Sequence, residues 1–174
     1  MNRYALVFAC ALLALAGLAQ AQTTTLTVAI GPEAALSVTA ATTPLATTST
    51  TFGNPFTGTT TMNYMIRTSK SSGTGTITVE VTSDFSGAGG PSVGTPPTAG
   101  DTLAYTCAVS TPGTPCSGAQ TASTKAATAV GNFGAGASSA KAGNAASVAW
   151  SLTDDPAYAT GTYAATATFT ISAA

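Results

Sequence analysis

The sequence predicts an all-β fold, an antiparallel immunoglobulin-like sandwich of about seven to eight strands. Three observations carry that prediction. Apolar residues recur at every second position in most apolar segments, the period of a strand with one buried face. Threonine fills many of the alternate positions, where its β-branched side chain suits an extended backbone. Beyond the N-terminal apolar run, helix signals are nearly absent.

That run, MNRYALVFACALLALAGLAQA, has a basic residue at Arg3, an apolar stretch through Leu18 and an Ala19-Gln20-Ala21 end. It reads as a secretory signal peptide over residues 1–21, shorter than a membrane span and removed together with Cys10. Residues 22–174 are then the length of one domain, large enough to bury a core. Along that domain, Leu26, Val28 and Ile30 alternate with polar or small neighbours, and Leu36 and Val38 repeat the pattern after Gly31-Pro32. Met62, Tyr64 and Ile66 follow, then Ile77, Val79 and Val81, then Leu103, Tyr105, Cys107 and Val109. Val148, Trp150 and Leu152 make the next strand, and the chain closes on GTYAATATFTISAA. The stretch AQTASTKAATAV reads as an irregular strand and loop, because its threonines and the glycines after it oppose a long helix. SKSSGTG turns between strands and displays Lys70, whereas SGAGGPSVGTPPTAG reads as a mobile spacer without an aromatic or charged residue.

Composition excludes several functions. Only 6% of the residues are charged, the formal net charge is -1, and no basic stripe exists to neutralise phosphates, so nucleic acid is not an expected partner. The chain has no histidine, which removes Ser-His-Asp and Cys-His catalysis and histidine-containing zinc sites. Glu33, Glu80, Asp84, Asp101, Asp154 and Asp155 are scattered over turns and strand ends rather than paired across a cleft. Asp154-Asp155-Pro156 reads as a turn rather than a calcium loop, since two carboxylates fall short of the ~6–8 oxygens calcium takes. Tyr64, Tyr105, Trp150, Tyr163 and Phe169 fall on inward positions and read as core. No cofactor, metal or enzymatic activity is expected.

In an exported chain, Cys107 and Cys116 are most simply a structural disulfide closing a mid-chain hairpin around the turn-forming STPGTP. They are not spaced as C-x-x-C and have no basic neighbour to favour a thiolate.

In the last segment Gly161 is followed by Tyr163, Ala165, Ala167, Phe169 and Ile171 at alternate positions. This motif resembles the C-terminal strand of bacterial chaperone-usher pilus subunits and of the related spore coat protein U-like secreted proteins. The resemblance covers that strand and the exported, threonine-rich, β-rich character of the chain. It implies a subunit completed by β-strand addition, with Leu26, Val28 and Ile30 as the donor strand. Period two alone allows a second reading, in which those three residues form the first strand of their own sandwich. The terminal strand itself is expected to be internal and paired, with the Tyr163-to-Ile171 face against the core. The resulting expectation is a non-enzymatic bacterial protein, secreted, periplasmic or at the cell surface, with other copies of itself or other surface proteins as partners. A self-contained sandwich that binds a protein or glycan through its loops is the alternative.

Overall fold

The computed structural model describes residues 24–47, 49–94 and 101–174. The expected signal peptide lies outside these residues. Among them are nine strands: β1 (Glu33–Val38), β2 (Phe56–Arg67), β3 (Gly75–Ser83), β4 (Leu103–Val109), β5 (Thr114–Pro115), β6 (Gln120–Ala122), β7 (Thr128–Phe133), β8 (Asn144–Leu152) and β9 (Thr166–Ala173). They form two antiparallel sheets, a five-stranded one in the order β1-β2-β8-β4-β6 and a four-stranded one in the order β5-β7-β3-β9. The fold is the expected immunoglobulin-like sandwich. The two shortest strands, β5 and β6, have too few residues to show a period, which is why the sequence suggests fewer.

The alternation sets the packing. On β2, Met62, Tyr64 and Ile66 are buried while Thr61, Asn63, Met65 and Arg67 face outward. On β3, Ile77, Val79 and Val81 are buried, and on β8, Ala146, Val148, Trp150 and Leu152. These side chains meet between the sheets with Leu103, Tyr105, Val130 and Phe133 in one core. Aromatic contacts connect the layers: Tyr64 packs on Phe133 with ring centroids 5.1 Å apart, and Trp150, which lies 5.5 Å from its neighbour Tyr105 in the same sheet, reaches Phe169 of the other at 6.3 Å. The buried polar tips are satisfied. The Tyr105 hydroxyl donates to the Ala129 carbonyl at 2.9 Å, the Tyr64 hydroxyl donates to the Ser110 carbonyl, and Trp150 Nε1 donates to Thr60 Oγ1 at 2.8 Å.

From β3 onward each strand lies in the opposite sheet to the one before it. This alternation corrects one expectation. Cys107 lies in β4 and Cys116 directly follows β5, so their disulfide spans the two sheets rather than closing a hairpin. The STPGTP stretch crosses between layers because Tyr64 holds the Ser110 carbonyl and the Gly113 N–H closes a turn on the same carbonyl at 3.0 Å.

A second correction concerns the spacer. Residues 95–100 lie outside the described residues, but its first half is anchored. Val93 is 1% exposed in the core, the Ser92 hydroxyl donates to Asp84 at 2.7 Å, and the Ser92 N–H donates to Asp101 at 2.9 Å. Gly90 packs against the Tyr163 ring, where any Cβ would overlap it. A composition of small residues therefore reflects close approach here.

Candidate functional site

The two sides of the sandwich differ. On one, the Cys107–Cys116 bridge ties β4 of the larger sheet to the end of β5 in the smaller. On the other, β1 and β9 are the outer strands of their sheets, each hydrogen-bonded to one neighbour, and they face each other across the edge without pairing. β9 bonds along β3 from Thr166 opposite Ser83 to Ala173 opposite Gly75. Its second row of backbone N–H and C=O groups has no strand beside it. Such an edge is a template for another strand.

This position corrects the expectation of an internal terminal strand. The alternation of β9 is as expected, with Phe169, Ile171 and Ala173 turned inward and Thr166, Thr168, Thr170 and Ser172 outward. The depth is not. Ala167 is exposed and Phe169 and Ile171 are only half-buried, because no further strand covers this side. Tyr163 and Ala165 are half-buried and precede the strand, and Gly161 is exposed in the connecting segment. The Tyr163 hydroxyl donates to the Ala159 carbonyl at 2.8 Å while the glycine-rich segment covers its ring.

Leu26, Val28 and Ile30 lie outside every strand, 90%, 78% and 66% exposed. β1 begins only at Glu33, opposite Arg67 of β2, and the Arg67 guanidinium also donates to the Gly31 carbonyl at 2.8 Å. The segment thus adds no strand to the sandwich that carries it. Its alternating apolar side chains stand in water, and the apolar row of the edge strand β9 is itself only half-covered.

One polar cluster was not legible in the sequence. Asp84 accepts from the Phe85 and Val93 N–H groups, both at 2.8 Å, and from the Ser92 hydroxyl. Asp101, 3% exposed, accepts from the Ser92 N–H and the Tyr158 hydroxyl. Burial pushes the Asp84 carboxyl up, but the N–H and hydroxyl donors around it outweigh that and hold it below the ordinary carboxylate value. Burial, the bond to Asp101 and the nearby Asp155 and Asp154 charges all push the Tyr158 phenol well above its ordinary value. Asp101 and Tyr158 are far apart in the chain, so no local motif announces them. Asp155 makes the expected turn, accepting from the Ala157 N–H at 2.7 Å. This cluster secures a loop. Among the described residues no group of three or more His, Cys, Asp or Glu side chains is placed to hold a metal ion, and no helix is long and apolar enough to cross a membrane.

No family model, curated protein or solved structure matches this chain. Its functional reading therefore rests on its own geometry.

Proposed function

We propose that this protein is an exported, non-enzymatic bacterial structural subunit, pilin-like, that joins copies by β-strand addition. The observation that carries the reading is the free edge of β9 with its half-covered apolar row of Phe169, Ile171 and Ala173. The segment containing Leu26, Val28 and Ile30 is the donor. Its side chains recur at the spacing that such a row accepts, and in its own molecule they are exposed. Main-chain bonds to β9 supply much of the affinity, and covering the apolar side chains adds about 25 cal/mol for each Å² removed from water. The outer strands of the opposite side, β5 and β6, are two and three residues long, so the eight-residue β9 offers the longest free edge for addition.

Deleting residues 24–30 tests this. The expected result is a folded monomer that no longer forms oligomers resistant to mild detergent, together with recovery of β9 protection from hydrogen exchange when a peptide of residues 24–31 is added. A variant that still assembles refutes the reading. A parent protein that is monomeric at all concentrations and does not bind the peptide favours the self-contained sandwich.

A further inference from the structure

Charged side chains are few in this chain, and the fold gathers most of each sign at one end. β2 ends at Arg67, the turn after it carries Lys70, and the loop before β8 carries Lys141. Contacts bring these together at one end of the sandwich. The Thr68 hydroxyl donates to the Gly134 carbonyl at 2.7 Å, the Gly136 N–H donates to the Ser69 carbonyl at 2.9 Å, and Arg67 and Lys141 border one shallow depression. All three cations are exposed. Glu33 is the acidic side chain there, held by Arg67 at 2.9 Å, and Ala174 with its terminal carboxylate lies at the same end, its carbonyl accepting from the Ser69 N–H at 3.0 Å; Lys70 and Lys141 form no ion pair among the described residues.

The opposite end is acidic. β3 ends at Ser83, β4 begins at Leu103 and β8 ends at Leu152, which gathers Asp84, Asp101, Asp154 and Asp155 around Ser92 and Tyr158. Lys125 is the cation of this end, on a loop held by the Thr124 N–H donating to the Val93 carbonyl at 3.2 Å. A strand the length of β8 spans roughly 30 Å at ~3.3 Å per residue. Salt screens charges over ~8 Å under physiological conditions, so the two ends act as separate patches. The exposed segment with Leu26, Val28 and Ile30 joins β1 at Glu33, and so leaves from the cationic end.

We propose that copies of this chain meet end to end, with the Arg67, Lys70 and Lys141 end of one seated on the end of the next that presents Asp84, Asp154 and Asp155. This deepens the strand-addition reading and rests on it: charge orients the incoming subunit, and strand pairing then fixes it. Like ends repel, which selects head-to-tail over head-to-head encounter. A head-to-tail contact uses two different surfaces, and unless its rotation closes a ring it generates an open filament.

The test is the association rate of the purified protein, followed by light scattering at low salt and at about 1 M salt, where the Debye length is ~3 Å. Lys70→Glu/Lys141→Glu and Asp154→Lys/Asp155→Lys should each associate about tenfold more slowly at low salt and at the parent rate in high salt. Lys70→Gln/Lys141→Gln, which only neutralises, should fall between. The variant carrying both reversals restores opposite ends and should recover the parent rate. Reversal variants that keep the parent rate at low salt, or a combined variant as slow as either, overturn the proposal. Binding of a labelled peptide of residues 24–31 separates the two readings. A peptide that binds while charge reversal changes nothing removes only the end-to-end orientation, and a peptide that does not bind removes strand addition as well.

Discussion

Trp150 is the residue whose removal should cost this fold most for its size. It is 6% exposed, packs on Tyr105 of β4 and reaches Phe169 of β9, so it couples the centre of the larger sheet to the outer strand of the smaller. Replacement by alanine removes that packing and leaves a cavity, a loss of about 3–5 kcal/mol. The lost indole N–H adds little, because Thr60 Oγ1 keeps its 2.7 Å hydrogen bond with Thr43 Oγ1 and is not orphaned. At roughly 2–4 °C per kcal/mol for a domain of this size, Trp150→Ala should lower the melting temperature by about 6–20 °C. Trp150→Phe keeps most of the packing and should cost less. Thr60→Val leaves the buried indole N–H without its acceptor, at about 1–3 kcal/mol. The assay is urea denaturation of the parent, each single variant and the Trp150→Phe/Thr60→Val pair. A coupling energy near 1 kcal/mol is expected, since both single changes break the same bond. An unmoved midpoint for Trp150→Ala would refute the inward register of β8 and the central place of the indole.

Four further outcomes follow from the structure. Ala167→Asp should melt within about 0.5 kcal/mol of the parent because the site is exposed, yet impair assembly, whereas Val79→Asp at a fully buried position should prevent folding, as judged by circular dichroism and size exclusion. Reducing the Cys107–Cys116 bridge should lower stability by about 2–3 kcal/mol in the chain-entropy account, read from denaturation with and without reductant. The Asp84 carboxyl is held below its unfolded value, so its contribution is complete above pH ~4 and is lost as pH falls through the folded value; Tyr158 is raised, so its contribution is complete below pH ~10 and is lost as pH rises above it. The protection of the Val93 amide relative to an unfolded amide at the same pH should fall at both extremes, and an Asp84→Asn variant with unchanged acid sensitivity there would contradict the carboxylate's role. Gly90→Val should displace the Tyr163 ring, seen as a shifted tyrosine resonance with the core signals retained.

The faces of the strands were legible in the sequence because period two reports which side chains point inward, and β2, β3, β4 and β8 turn inward the residues that alternation selects. Neighbours were not legible. Period two is the same for an inner and an outer strand, so β9 kept its face but not its expected depth. Leu26, Val28 and Ile30 alternate as well as any strand here, yet none forms around them, since a pattern states what a strand could bury and not whether a partner is present. The anchoring of Ser92 by Asp84 and Asp101, and of Asp101 by Tyr158, joins the β3–β4 connection to the β8–β9 connection, two segments distant in sequence that the sheet topology brings together.

The alternation of strands between layers also dictates how the chain can fold. Neither sheet is made from a continuous stretch of sequence: until β8 arrives, the larger sheet consists of two separate pieces, β1 with β2 and β4 with β6. β8 supplies the seam, pairing with β2 from Tyr64 to Phe56 and with β4 from Val109 to Leu103. Nearly every ladder therefore waits on residues distant in sequence, and loop-closure entropy opposes each pairing before its contacts reward it. A growing chain emerging N-terminus first holds unpaired strand edges until residue 152 is available, and the last strand, β9, completes only one side of β3. Folding should accordingly be slow and all-or-none, and a chain cut short before β8 should yield no stable half-sandwich but an unfolded, aggregation-prone product.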